Sequence, residues 1–322
     1  MQRKRTEDGR PPRRRLARAL RILAVLALAL VLWALYLARV QEGIFLERKG
    51  RLESVELGEP VESEGHLSRL VALRSSSGLA IQLALKRPLE GPGAEAQLRP
   101  LIVMLGGQAT GLGALRHVGA TRGAIVAVLD YPYSGPRKPS PLQFLRAIPA
   151  MRQAILDTPS ALLLALDWLI EEPGVDRSRV ELCGVSLGSP FACVAGALDE
   201  RFTRVWSIHG AADPYAMLDH SLRSRVGWAP LRKLVALALF VLADGPSIAP
   251  ERYVGRIAPR RFVMINAESD ERLPRQAVLD LYAAAREPRE LVWLPGAHVN
   301  PKRTEVVQQL VEMVLTRVNE GR

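Results

Sequence analysis

Ser186 stands between Gly184 and Gly188 in "CGVSLGS", residues 183–189. A serine hydroxyl flanked by glycines at this spacing suits a nucleophile held on a tight turn between a strand and a helix. Such a hydroxyl is a weak nucleophile until a general base removes its proton, and the base in turn needs a group that fixes its tautomer. Five histidines could serve as the base, namely His66, His117, His209, His220 and His298. His298 lies in the glycine-containing loop "LPGAHVN", residues 294–300, between the last apolar strand pattern and the last helical pattern, from which it can reach Ser186. His66 precedes the central strands, His117 follows a glycine-rich loop and His220 falls in an insertion. His209 ends a strand pattern and should line the same sheet edge as Ser186, as a pocket residue or as a structural hydrogen-bonder.

The elements that must position these side chains are legible as alternating patterns. "HLSRLVALRS" and "LAIQLALKRP" read as an antiparallel pair turning at "SSSG". "RPLIVMLGG" (99–107) and "GAIVAVLDYP" (123–132) are short apolar runs, as expected for strands buried on both faces. "PSALLLALDWLIEEPGV" (159–175) has helical spacing with Pro159 near its start. The strand "RVELCGV" then enters the Ser186 turn and a helix leaves it. After it follow the strands "RFTRVWSIHG" and "RRFVMINAE", the helix "RQAVLDLYAAAR", the strand "RELVWLPG" and the helix "TEVVQQLVEMVLTRV". This alternation predicts an α/β fold with a mostly parallel central sheet and helices on both faces. An insertion at about 211–259 interrupts it; its apolar run Leu234–Ala243 is too short to span a bilayer and reads as a sheet-covering helix, a cap or a membrane-contacting surface.

With strand, turn and helix in place, the segment "ALDWLIEEPGVDRSRVELCGVSLGS" resembles the helix, loop, strand and nucleophile elbow of the α/β hydrolase superfamily. The likeness is to its dienelactone hydrolase and prolyl oligopeptidase-like branches, and "ALDERFTRVWSIHG" is similar to their next segment. The resemblance covers roughly residues 66–320 and implies the chain order Ser, acid, His. It places the acid in "INAESDERLP" (265–274) at Asp270, with Glu268 as the rival carboxylate, and the histidine at His298. It also implies an oxyanion hole built from the backbone N–H of Leu187 and from the loop "LGGQATG", at Gly107 or Gln108, with Gly106 allowing the tight turn. Many relatives carry His-Gly where this chain has Leu105-Gly106, so the match there is incomplete. No Walker lysine follows the glycine loop, which excludes a phosphate cradle. The implied activity is acyl transfer from Ser186 to water, most simply ester hydrolysis, with no metal or organic cofactor. A peptidase, an acyltransferase or a non-catalytic hydrolase-like scaffold are the alternatives.

Composition bounds the setting of this chemistry. The chain has 322 residues and a net charge of +11, but residues 1–21 hold nine Arg or Lys against Glu7 and Asp8, leaving about +4 for the rest. The body shows no basic stripe interleaved with aromatics, which excludes nucleic acid as its partner. Residues 22–38, "ILAVLALALVLWALYLA", form an unbroken apolar run between Arg21 and Arg39, extended by Ala19 and Leu20. As a helix it would measure roughly 25 Å. It reads as a retained transmembrane anchor in a lipid bilayer, with a cleaved signal peptide as the alternative, although "LYLARVQEG" supplies a poor cleavage site. A GxxxG pattern that would favour helix pairing is missing. The excess of basic residues before the span places the N-terminus in the cytoplasm and the body outside it. The expected organisation is a basic arm at 1–21, the span at 22–38, a connector at 39–65 with one weak strand, and the hydrolase domain at 66–322. Cys183 and Cys193 read as two buried free thiols.

Overall fold

A computed structural model describes residues 43–89, 97–107, 110–136, 140–300 and 303–320, with isolated positions between 17 and 31. The chain divides into two units, Met1–Val40 and Gln41–Arg322. In the first, Ala17, Arg21, Ala24, Val25, Ala27, Leu28 and Val31 are helical and exposed. Most of the basic arm and of the expected span lies outside the described residues. Among the described residues no helix is long and apolar enough to cross a membrane.

The second unit is built on a sheet whose strands are β1 (Leu52–Leu57), β2 (Val61–Ser63), β3 (His66–Ser75), β4 (Ala80–Pro88), β5 (Arg99–Leu105), β6 (Ile125–Leu129), β7 (Val175–Val185), β8 (Arg204–Ile208), β9 (Arg261–Ala267) and β10 (Arg289–Leu294). Their order is β1-β3-β4-β6-β5-β7-β8-β9-β10, with β2 paired to β3. The antiparallel pair is β3 (His66–Ser75) and β4 (Ala80–Pro88), and β4 joins β6 antiparallel. From there β6 (Ile125–Leu129), β5 (Arg99–Leu105), β7 (Val175–Val185), β8 (Arg204–Ile208), β9 (Arg261–Ala267) and β10 (Arg289–Leu294) run parallel. The central runs are mainly apolar because both faces are covered, with Glu181, Ser207 and Asn266 buried among them. On one face Ile102, Met104, Val126, Val128, Cys183, Trp206 and Val263 pack with Leu310, Val314 and Val318 of the last helix. On the other face the backbone of β7 meets the helix that follows Ser186, so close that a Cβ on Gly184 would lie 2.6 Å from the Ala192 Cβ. Cys183 and Cys193 therefore belong to opposite faces of the sheet, and both are free and buried. Burial pushes the Cys193 thiol up to about 12, so neither reactivity nor a disulfide is built into the pair.

Two differences from the sequence reading have physical causes. Residues 43–65, expected as a connector with one weak strand, form helix α1 (Gly43–Lys49) and strands β1 (Leu52–Leu57) and β2 (Val61–Ser63). The sheet and its covering helices thus begin before His66. Phe45 is fully buried, its carbonyl accepts from the Ser160 hydroxyl, and Arg48 and Lys49 pair with Asp157 and Asp167, so α1 is fastened to the helix beneath it. The expected helix start at Pro159 is also displaced: α2 runs from Pro141 to Leu169 with Pro149 and Pro159 inside it. Ser140 caps it by accepting from the Gln143 N–H while the Gln143 side chain accepts from Ser140 N–H, a capping box with proline at the first turn. Its second half, Ala161 to Leu166, is buried against the sheet, and that packing outweighs the missing proline N–H groups.

Helix α3 (Gly188–Leu198) leaves the Ser186 turn, and its first glycine is fixed by contact rather than by dihedral. A Cβ on Gly188 would stand 2.3 Å from the Leu105 carbonyl oxygen, a backbone atom that cannot swing aside. Gly188→Ala should therefore destabilise the protein by about 1–3 kcal/mol, in the range of overpacked cores. Urea unfolding of the two proteins measures this, and an unchanged midpoint would contradict the close approach. The insertion contains α4 (Pro214–Leu222), α5 (Ala229–Leu242) and three short 3-10 turns between Gly245 and Arg256. Helix α6 (Arg275–Ala284) and helix α7 (Thr304–Glu320) complete the alternation.

Candidate active site

Three parallel strands deliver the site at their carboxyl ends. Ser186 follows β7 with φ +52, a left-handed backbone that a side chain rarely adopts. Its N–H donates to the Ile208 carbonyl at 2.7 Å and its carbonyl accepts from Ser189 N–H at 3.0 Å, so the turn is held from both sides. His298, in the loop after β10, brings Nε2 to 2.8 Å from Ser186 Oγ. Its Nδ1 lies 2.7 Å from Asp270 Oδ2, and Asp270 sits in the loop after β9. The structure thus brings Ser186, His298 and Asp270 into one hydrogen-bonded path. Glu268, the rival carboxylate, is exposed and points its N–H at the Leu294 carbonyl.

Asp270 carries more than one imidazole. His209 Nδ1 lies 3.0 Å from the same Oδ2, and the His209 and His298 rings meet edge to face with centroids 4.9 Å apart. The other oxygen, Oδ1, accepts from the backbone N–H groups of Arg272 and Leu273 at 2.9 and 3.0 Å. Burial alone would raise the pKa of this carboxyl, but the hydrogen bonds from His209 and His298, the charge of His298 and the Arg272 N–H together hold it well below the usual carboxylate range. An ionised carboxylate only accepts, so Nδ1 of each histidine carries a proton. With Nδ1 donating to Asp270, Nε2 is the ring atom of His298 that faces the Ser186 hydroxyl and can accept from it. The three donor atoms of His209, Asp270 and His298 lie within 4.8 Å of one another, a spacing a metal ion could use. A cation there would have to displace both Nδ1 protons, because the two contacts to Oδ2 already have N–H···O lengths.

Glu271 adds a further restraint that the sequence alone did not single out. Its carboxylate accepts from the His298 backbone N–H at 3.0 Å, and that bond lowers its pKa. His220 in the insertion reaches the Glu271 carbonyl with Nε2 at 3.2 Å, while His66 Nε2 accepts from Thr121 N–H.

The oxyanion-hole residues divide. Leu187 stands immediately before α3 in helical conformation, where backbone N–H groups gather at a helix N-terminus. Gly107 lies against the serine: a Cβ there would be 3.8 Å from the Ser186 Cβ. Gln108 falls outside the described residues. The turn is braced by Thr110, whose N–H and hydroxyl both donate to the Gly107 carbonyl. Tyr131, unforeseen in the sequence, donates its hydroxyl to the Gly106 carbonyl at 2.6 Å and packs edge to face on Phe191. Burial, with Asp130 nearby, raises the pKa of that phenol and keeps it a donor. The available signal was its position directly after the strand beside β5, where side chains reach the same sheet edge. A cavity of about 850 Å³ opens on the side of Tyr131 facing Arg48, Arg74, Gln82 and Tyr133; Ser186 and His298 do not line it.

No family model matches the chain, and no curated protein matches it in sequence. Solved structures match it in fold. Acetyl xylan esterase 1 from Thermoanaerobacterium sp. JW/SL YS485 is 15% identical with a TM-score of 0.60, over 85% of this chain and 92% of that one. The acetyl xylan esterase from Paenibacillus sp. R4 is 18% identical with a TM-score of 0.57, over 87% and 94%. The α/β hydrolase GrgF from Penicillium sp. sh18 is 18% identical with a TM-score of 0.54, over 78% and 98%. Together with the strand order, these likenesses show an α/β fold with a mostly parallel central sheet, shared with these solved structures.

Proposed function

We propose that this chain is a membrane-anchored serine hydrolase that cleaves carboxylic esters through an acyl-enzyme on Ser186. The observation that carries the reading is the continuous path from Ser186 Oγ to His298 Nε2 and from His298 Nδ1 to Asp270. His298 takes the hydroxyl proton as Ser186 Oγ bonds to the acyl carbon, and the carbonyl π electrons move onto oxygen. The resulting oxyanion is met by the N–H groups of Leu187 and Gly107. The carbon–oxygen bond to the alcohol then breaks as His298 returns its proton to the leaving oxygen. Water, deprotonated by the same Nε2, attacks the ester of Ser186 and releases the acid. Fold neighbours named as acetyl xylan esterases favour an ester over an amide as substrate. Covalent capture by a fluorophosphonate tests the assignment: folded wild type should be labelled, and absence of labelling would overturn it.

Residues 22–38 anchor the chain in the bilayer in this reading, with the basic arm cytoplasmic and the catalytic unit outside. Exposed helical Val25, Leu28 and Val31 support it, being apolar side chains that a water-facing helix would not favour.

His209 acts here as a positioning residue that pins Asp270. Its backbone has φ +50, which glycine and asparagine accept more readily than other residues. His209→Gly removes the donor without backbone strain, whereas His209→Asn offers an amide N–H near the place of Nδ1. Losing one hydrogen bond to a charged group costs about 1.5–3 kcal/mol. The glycine variant should thus lose about 10- to 100-fold in kcat with KM little changed, and the asparagine variant should recover most of it. Equal kcat in wild type and the glycine variant would remove His209 from the mechanism.

A further inference from the structure

Helix α5 presents an apolar outer face to solvent. Leu231, Leu234, Leu237, Ala238 and Leu242 recur at helical spacing on that side, with Leu234 58% exposed, while Ala236, Phe240 and Val241 face inward. A surface helix of a protein surrounded by water ordinarily carries polar residues there. Trp228, just before the helix, is 67% exposed. Within residues 221–243 the charge has one sign: Arg223, Arg225, Arg232 and Lys233 with no carboxylate. Arg232 is paired with Asp219, while Arg223, Arg225 and Lys233 are exposed. At 14 residues α5 measures about 21 Å, too short to cross a hydrocarbon core of about 30 Å. Leucines on one side, a tryptophan at the end and flanking cations describe a helix that lies in the plane of an anionic lipid surface.

The body of the chain begins at α1, which is fixed to α2 through Arg48 and Asp157. The end of α5 is fixed to the same helix through Asp244 and Arg152, five residues away and about 8 Å along its axis. We infer that α5 docks on an anionic bilayer surface and that the ester substrates of the Ser186 site reside in that membrane. The inference rests on the anchored serine-hydrolase reading for its substrate, but the docking itself is measured separately.

The test uses the full chain reconstituted into phosphatidylglycerol vesicles. Leu234→Cys, labelled with an environment-sensitive fluorophore, is compared with Ser178→Cys on an exposed loop-like end of β7; the native thiols are fully buried and do not compete. Nitroxide-bearing lipids should quench the label at position 234 several-fold more than at 178, and more in phosphatidylglycerol than in phosphatidylcholine. Leu237→Cys serves as the second variant, with circular dichroism confirming the fold of each. Equal quenching at 234 and 178 overturns the docking. A label at 234 that is buried but not quenched by lipid, in vesicles and in detergent alike, also overturns it in favour of a second protein copy. Resistance to carbonate extraction reports on residues 22–38 independently, so loss of the anchor and loss of docking are read as different results.

Discussion

Ser186→Ala should reduce kcat for a soluble ester by about 10⁴-fold or more and abolish fluorophosphonate labelling, with KM within a few-fold of wild type. The size follows from the unit character of the arrangement, since removing the nucleophile of such a site leaves only binding and oxyanion stabilisation. The alanine keeps the φ of +52 and therefore keeps the strain of the turn. Ser186→Gly, equally inactive, should melt higher than Ser186→Ala, because a left-handed backbone costs a residue with a Cβ roughly 1–2 kcal/mol. For a chain of this size that is a rise of about 2–8 °C, at roughly 2–4 °C per kcal/mol. Differential scanning calorimetry of the two inactive variants checks it. Turnover near the wild-type rate in either variant would move the nucleophile elsewhere.

The central strands and their alternation with helices were readable because these strands are covered on both faces, and burial writes itself into sequence as apolar runs, whereas the order of the strands in the sheet was not. The edge was not readable for the opposite reason. β1 and β2 are mostly exposed, so neither shows the alternation that marks a half-buried strand. The long helix α2 did announce its start, in Ser140, Pro141 and Gln143, but Pro159 gives a competing start signal inside it. At the site, Ser186 and His298 stood out by their places in loops at the ends of readable strands, and Asp270 only through the resemblance to the α/β hydrolases. The convergence of His209 on Asp270 was not legible, since it depends on β8 and β9 lying side by side with Ile208 opposite Ile265. That register sets the His209 N–H on the Ile265 carbonyl at 2.7 Å and brings its ring to a carboxylate 61 residues further on. Tyr131 reaches Gly106 in the same way, through the pairing of β6 with β5.

Asp270→Asn should be nearly as damaging as loss of the serine, because no orientation of the amide satisfies the groups around it. With its NH₂ toward the rings, the amide donates where two imidazoles now donate. His298 must then carry its proton on Nε2, which faces Ser186 Oγ and can no longer accept from it. With the oxygen toward the rings, the NH₂ confronts the N–H groups of Arg272 and Leu273. Either arrangement removes the charge that stabilises the imidazolium formed as Ser186 attacks. A loss of about 10⁴-fold in kcat is expected, the scale seen when a triad acid is made neutral and the histidine adopts the wrong tautomer. Glu268→Gln should leave kcat unchanged, since that side chain is exposed. Stability adds an independent reading. The folded protein holds the Asp270 pKa below its unfolded value, so the ionised form stabilises the fold fully above about pH 4, the ordinary aspartate value. That contribution fades as pH falls from there toward the depressed folded value. Wild type should therefore exceed Asp270→Asn in urea resistance at pH 7, and the gap should narrow as the pH is taken from 4 toward 2. A gap independent of pH, with kcat unaltered, would show that Asp270 is neither ionised nor coupled to His298.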